Sequence, residues 1–386
     1  MGDSLMPSEV SEFILPQSMI LPFETVIPEE LMQEAIRLAR KAEYQTEPNP
    51  IVGALLADPQ GNILSSGFHQ KPGKAHAEVM ALQGFEQVPP EATLYVTLEP
   101  CSHFGKTPPC AELLLQKQVK QVVVGCLDPN PLVAGRGVAL LREKGVQVKV
   151  GLCEQDCIDL NPVFNKHIVT HLPYVTLKAA TSLDGKIAMP SGESQWITGA
   201  EARAYGHLLR SRHQAIVVGS QTLLKDNPQL TNRIEPGQRQ PIRIAFSSLG
   251  NIQEETSFLQ NQETQRIVVA GCEIKDKQLQ FLQSMGVKVL VAPTARPAVR
   301  WALEELYTLG ICSLLVEGGA ELVGSFLQEG LVDQLCLFLS GKLIASPEAP
   351  AWCGNLGISH LADVPHFKFK SVKPMGDDLL ITGYLQ

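Results

Sequence analysis

From Pro28 to about Ala42 the apolar side chains Leu31, Ala35, Leu38 and Ala42 recur at steps of three and four. That spacing places them on one helix face, and Pro28 suits a first helical turn. The pattern then changes. NPIVGALLAD (49–58) predicts a strand, Gly61-Asn62 a turn and ILSSGF (63–68) its hairpin partner. AHAEVMAL predicts a helix from about Ala75, TLYVTLE a strand and CAELLLQKQ a further helix. QVVVGCLD and VQVKVGL are β-branched apolar runs separated by the helix-like VALLREKG. Such alternation implies a helix-covered α/β sheet.

CEQDCIDLNPVFNKHI reads as a helical stretch ending near His171, and a second series begins at about Pro173. PYVTLKAATSLDGKIA is an apolar strand running into a polar loop, followed by SGESQWIT and the helical ARAYGHLLRSRH. AIVVGS, IRIAFSS and RIVVAG are strand-like runs ending in Gly or Ser, as where an open sheet delivers backbone to a ligand. LLVEGGAELVGSFL reads as a buried strand, a Gly-Gly turn and a helix. The chain thus divides into an extension, 1–27, and two units, 28–171 and 172–386. A length of 386 residues with 44% hydrophobic content supports two cores.

Charge narrows the partners. The formal net charge is −8 and no Lys/Arg run interleaves with aromatic residues, which argues against nucleic acid and leaves small, nucleotide-like molecules. Nine scattered cysteines do not make a disulfide framework and point to a reducing cytoplasm. Cys153 and Cys157, four apart, read as core-facing neighbours at one-turn spacing. No stretch reaches membrane-spanning length, and the acidic, proline-broken residues 1–27 read as a tail or strap rather than a signal peptide. No membrane partner is expected.

The chemistry concentrates in HAEVMALQGFEQVPPEATLYVTLEPCSHFGKTPPC, from His76 to Cys110. His76, Cys101 and Cys110 supply three soft metal ligands, whereas a structural zinc takes four and a catalytic zinc keeps a position open. Zinc lowers the pKa of bound water towards neutrality, and Glu78, beside the ligands without being one, can shuttle protons. His76 and Glu78 are expected in one first helical turn. Cys110 heads the next helix, a position that biases a thiol towards thiolate. A closed structural site with His103 as fourth ligand is the alternative, and it leaves Glu78 without a task.

The ligand order resembles the cytidine deaminase superfamily. Many members have two residues between the cysteines, but this chain has SHFGKTPP. That loop, with NPIVG upstream and DPNPLVAGRG downstream, is similar to the deaminase half of the bifunctional riboflavin-biosynthesis deaminase–reductase family, and the likeness extends from about Pro28 over nearly the whole chain. TSLDGKIA, SQWIT, LLR and TLLKDNPQLTNR resemble its reductase half. The resemblance implies a cytidine-deaminase-like three-layer α/β/α domain followed by a dihydrofolate-reductase-like α/β domain. It also implies one zinc ion, NADPH, a phosphorylated pyrimidine substrate and, as the expected state, a homo-oligomer. A base deaminase fused to a domain of other function, or a non-enzymatic structural zinc protein, are the competing readings.

Residue by residue, the resemblance makes Asn49 a pyrimidine contact, although an Asn before Pro also suits a turn. His103 and Lys106 lie on the loop between the cysteines, where a substrate phosphate needs a cation. Asp128 and Asn130, ordinary turn formers in DPNP, would close over the ribose phosphate. Ala180, Trp196, Thr222, Asp226, Ser248 and the turn Gly319, Ala320, Glu321, Leu322, Val323, Gly324, Ser325 would contact NADPH. Gly-Gly after a strand also serves close strand–helix packing, and no full G-x-G-x-x-G is present. Ser194, Arg210, Leu230, Arg233 and Glu317 would contact substrate, the arginines by bidentate capture of its phosphate. Lys178, counted with them, sits in an apolar strand and needs a partner, for which Glu317 is the candidate.

Overall fold

Two sheets organise the chain in the computed structural model, which describes residues 28–102, 108–131, 133–233 and 239–386. In the first, β1 (Gly53–Ala57) and β2 (Ile63–Phe68) form an antiparallel hairpin, and β1 also pairs antiparallel with β3 (Thr93–Leu98). From β3 the sheet continues parallel through β4 (Gln121–Cys126) to β5 (Gln147–Val150), in the order β2-β1-β3-β4-β5. Every residue of β3 is buried, Thr93 and Thr97 included, which is why no exposed polar face alternates along it.

Successive residues of a strand feed opposite layers. Leu55, Tyr95 and Val123 pack against Met32, Ala35, Ile36 and Ala39 of the helix Glu29–Arg40. Leu56, Leu94, Val96 and Val124 pack against the helices Ala77–Leu82, Cys110–Gln116 and Arg136–Glu143. The result is a three-layer α/β/α unit. Gly67 sets the distance between β2 and the helix Ala77–Leu82, since a Cβ there would stand 2.4 Å from Met80 Cβ.

The second sheet contains β6 (Tyr174–Thr181), β7 (Ala215–Gly219), β8 (Ile242–Phe246), β9 (Arg266–Ala270), β10 (Lys288–Val291), β11 (Ser313–Val316), β12 (Gln334–Ser340), β13 (Phe367–Met375) and β14 (Asp378–Leu385). Its order is β10-β9-β8-β7-β11-β6-β12-β14-β13, parallel up to β12 and antiparallel over the last two pairings. Apolar clusters lie on both faces, so this unit is also α/β.

Two expectations change. The strand foreseen from Asn49 begins only at Gly53, because the Asn49 N–H turns back to Thr46 O (2.8 Å) and both polar groups of Ile51 bond the Asn161 side chain (2.7 and 3.0 Å). The single stretch CEQDCIDLNPVFNKHI is two helices, Glu154–Ile158 and Pro162–Thr170. Asn161 is spent on that bridge, and Pro162 has no N–H with which to continue the first helix. Cys157 is buried, while Cys153 lies just before the first helix in a left-handed conformation, φ 53°.

Polar contacts join the two units. Arg239 pairs with Glu47 at 3.0 Å, and the Ser313 hydroxyl donates to the same carboxylate at 3.1 Å. Burial raises the Glu47 carboxyl above its usual range, against the lowering effect of Arg239 and Ser313. Lys166 pairs with Asp333 at 2.5 Å, and Asp333 also accepts the Val175 N–H at 2.7 Å.

His213 ends the helix Ala200–Arg212 with both ring nitrogens engaged: Nδ1 donates to Leu209 O (2.7 Å) and Nε2 accepts from Thr176 Oγ1 (2.8 Å). Burial pushes its imidazole down to about 4. The unfolded chain takes up this proton near pH ~6.5 and the folded chain only near 4, so the fold has its full stability above ~6.5 and loses it as pH falls towards 4. Urea unfolding is expected to show a drop of ~1–3 kcal/mol across that window that His213→Gln removes. An identical pH slope in the variant would refute the assignment.

Candidate active sites

The first unit carries its site at the carboxyl end of β3. His76 is the N-cap of the helix Ala77–Leu82, one position before the helix proper, and makes no capping bond with its ring. Instead its Nδ1 lies 3.3 Å from Cys110 Sγ and 3.8 Å from Cys101 Sγ. Cys101 follows β3 by three residues, and Cys110 opens the helix Cys110–Gln116. The donor atoms of His76, Cys101 and Cys110 all lie within 4.8 Å of one another. A tetrahedral ion with bonds of ~2.1 and ~2.3 Å needs donor separations of roughly 3.5–3.8 Å, so this trio fits a metal with little movement.

Glu78 sits in the first turn of the helix Ala77–Leu82, 4% exposed. Burial pushes its carboxyl up to about 7. Between the sulfurs, a hydrogen bond from Cys110 holds Cys101 far below the ordinary thiol range, and the same pairing with burial raises Cys110. Cys101 Sγ also accepts the Cys110 N–H at 3.2 Å.

Asn49 faces the same region through His69. Its Nδ2 lies 3.3 Å from His69 Nε2, while His69 Nδ1 donates to Ala75 O at 3.1 Å. The His69 ring meets His76 edge to face at 5.5 Å. Asp128 and Asn130 follow β4, with the Asn130 N–H on Asp128 Oδ1 at 2.9 Å. His103 and Lys106 lie outside the described residues.

Two side chains here escaped the sequence reading. His69 was one; the other is Glu99, a buried acid one residue past β3 that accepts the N–H groups of Asp128, Gly135, Gly137 and Val138. A carboxylate closing an otherwise apolar strand was the available signal for Glu99. His69 offered none.

The second unit holds a cavity of about 1060 Å³ at the carboxyl ends of its parallel strands. Lys178, Ala180, Ser194, Arg210, Thr222, Asp226, Leu230, Ser248 and Glu317 all line it, together with Gly319, Ala320, Glu321, Leu322 and Ser325. Burial drives Glu317 up, but the Arg210 and Lys178 cations outweigh it and hold the carboxyl at about 2. Arg210 grips Glu317 with Nε and Nη2, each at 2.9 Å, and Lys178 Nζ stands 3.7 Å away. The Arg210 fork is thus filled from within the protein. Of the two arginines expected to capture a phosphate, Arg210 is engaged in this way, and Arg233 is exposed beside His207 (3.5 Å) and does not line the cavity.

Other residues stand apart from the cavity wall. Trp196 is 59% exposed beneath the Arg203 guanidinium, 4.5 Å from its ring centre. Val323 packs in the core, and Gly324 lies against Gly354 in a neighbouring recess of about 250 Å³. Gly319 to Ser325 runs through nearly two helical turns, so only one side of it meets the cavity. Gly318 packs closely, a Cβ there standing 2.8 Å from Leu322, whereas Gly319 faces the cavity with Thr222 Oγ1 3.6 Å from such an atom.

Comparison with known proteins gives a match in each half of the chain. Residues 26–126 match the model for the cytidine and deoxycytidylate deaminase zinc-binding region, and residues 173–381 match the RibD C-terminal domain. The riboflavin biosynthesis protein RibD of Bacillus amyloliquefaciens is 42% identical over 354 residues, covering 91% of this chain and 95% of that protein. Its counterpart from Escherichia coli K12 is 38% identical, covering 91% and 97%. Among solved structures, Acinetobacter baumannii RibD superposes with a TM-score of 0.82 at 39% identity, covering 93% of this chain and 98% of that one. A Thermotoga maritima diaminohydroxyphosphoribosylaminopyrimidine deaminase/5-amino-6-(5-phosphoribosylamino)uracil reductase gives 0.79 at 34% identity, with the same coverage. With likeness of this degree across both units, the chain belongs to the RibD family of bifunctional riboflavin-biosynthesis deaminase–reductases.

Proposed function

We propose that the unit 28–171 hydrolytically deaminates 2,5-diamino-6-(5-phosphoribosylamino)pyrimidin-4(3H)-one, and that the unit 172–386 reduces the ribosyl side chain of the product to give 5-amino-6-(5-phosphoribitylamino)uracil. The observation that carries the first half is the convergence of His76, Cys101 and Cys110 beside a buried Glu78. We assign zinc to the trio, since two sulfurs and an imidazole suit it and no fourth His, Cys, Asp or Glu ligand joins them among the described residues. When bound, zinc supplies a Lewis acid that makes water nucleophilic near neutral pH. Glu78 takes a proton from the attacking water and delivers it to the departing amine, so that a ring C–O bond replaces the C–N bond and ammonia leaves. Asn49, steadied by His69, holds the pyrimidine edge. Asp128 and Asn130 face the ribose phosphate, with His103 and Lys106 assigned to the same end of the substrate.

In the second cavity the Gly319 turn and the N-terminus of the helix Ala320–Gln328 offer backbone N–H groups to a pyrophosphate, and the wall residues Ala180, Thr222, Asp226, Ser248, Gly319, Ala320, Glu321, Leu322 and Ser325 are assigned to NADPH. NADPH, when bound, supplies the hydride that reduces C1′ of the ring-opened sugar. Glu317, held by Arg210, is an acceptor-only group suited to the sugar hydroxyls, and Lys178 adds a cation beside it. Ser194 and Leu230 line the same space, and Arg233 is assigned to the phosphate from outside that cavity wall. No described helix is long and apolar enough to cross a membrane, and all nine cysteines are free, which supports a cytoplasmic setting.

Three outcomes test this. Glu78→Gln should keep zinc at one ion per chain and lower ammonia release by at least ~10²-fold, with NADPH oxidation on the deaminated pyrimidine intact; undiminished release removes Glu78 from the mechanism. Stripping zinc with a chelator should abolish deamination alone, and loss of both activities together would contradict two independent sites. Glu317→Gln should raise KM for the deaminated substrate by ~10-fold or more while NADPH still quenches protein fluorescence with unchanged affinity. An unchanged KM would exclude Glu317 from substrate recognition.

A further inference from the structure

Glu99 is a carboxylate, 4% exposed, that pairs with no lysine or arginine among the described residues. Its two oxygens divide four backbone donors. Oε2 accepts the N–H of Asp128 (3.2 Å) and of Gly135 (2.9 Å), which are the two ends of the loop after β4. Oε1 accepts the N–H of Gly137 (2.8 Å) and Val138 (3.1 Å), in the first turn of the helix Arg136–Glu143. The N-cap of that helix, Gly135, has no side chain to do this, so the cap comes from another strand.

The loop is held from a second direction. Gly137 lies so close to Pro100 that a Cβ there would stand 2.0 Å from the Pro100 carbonyl oxygen. Pro100 connects Glu99 directly to the metal-trio residue Cys101. One tripeptide, Glu99 to Cys101, thereby fixes both the metal trio and the loop that presents Asp128 and Asn130.

We infer that Glu99 is a positioning residue for deamination, which sets Asp128 and Asn130 at the correct distance from the metal trio to hold the phosphate-bearing end of the substrate. The inference rests on the reading that Asp128 and Asn130 face the ribose phosphate. A carboxylate accepts on both oxygens, whereas an amide accepts on one and donates on the other. Glu99→Gln must therefore set an NH₂ group against two backbone N–H groups, releasing either the loop ends or the helix start.

The test is steady-state deamination by the full-length Glu99→Gln chain, with the phosphorylated diaminopyrimidine and its dephosphorylated counterpart. KM for the phosphorylated substrate is expected to rise roughly 10–100-fold, while KM for the dephosphorylated one, the zinc content and the reductase activity of the same chain stay unchanged. Equal losses on both substrates mean a merely structural part and overturn the inference, as does no loss on either. An unmodified protein that does not distinguish the two substrates instead refutes the phosphate reading of the loop. Should Glu99→Gln not fold, hydrogen exchange on the unmodified chain decides. The amides of Asp128, Gly135, Gly137 and Val138 are expected to be protected, more so with ribose 5-phosphate added, and fast exchange in both states overturns the proposal.

Discussion

Taking a carboxylate out of water costs several kcal/mol unless something replaces the lost hydration, and this chain meets that constraint differently at each of its sites. Glu78 is buried without a stabilising cation that outweighs desolvation, and its carboxyl rises to about 7. A group in that range can hold and release a proton at neutral pH. Glu317, with 10% of its side chain exposed, faces Arg210 and Lys178, which bring it down to about 2. It is a permanent anion, fit to hold a substrate and unfit to move protons. Glu99 uses neither solution and is surrounded by four backbone N–H groups. The division of chemistry between the two units is thus a division in how buried acids are compensated.

Both sites occupy the same place in their sheets. Parallel strands end together, so the loops beyond them converge and the helices that follow point their N-termini at one space. In the first unit β3 and β4 deliver Glu99 to Cys101 and the loop from Asp128. In the second, β6, β7 and β11 deliver Lys178, Gly219 and Glu317 to one cavity.

The metal trio was legible because histidine and cysteine advertise their chemistry and because one strand–loop–helix unit carries most of it. The paired sheets were legible for a similar reason: β3, β4, β7 and β9 are runs of buried apolar residues. By contrast, β13 reads FKFKSVKPM, a sheet-edge strand whose alternation of Phe367 and Phe369 with Lys368 and Lys370 lasts only four residues before Ser371, Lys373 and Pro374 interrupt it. The role of Arg210 was hidden by distance. Its partner Glu317 lies 107 residues away, and nothing near Arg210 shows that its fork is already filled. Glu99 left one trace, a carboxylate at the end of a buried strand, but its main-chain partners left none, and neither did the main-chain carbonyl and distant carboxamide that hold His69.

The Glu47 contact reaches further than its size suggests. That carboxylate spans the seam between the units, two residues from Asn49, and its counterparts Arg239 and Ser313 belong wholly to the other half. A gene cut at the seam would return Glu47 to water in one product and strand a guanidinium in the other. The turn of the first half that carries Asn49 is in this sense borrowed from the second, and each half is the other's scaffold.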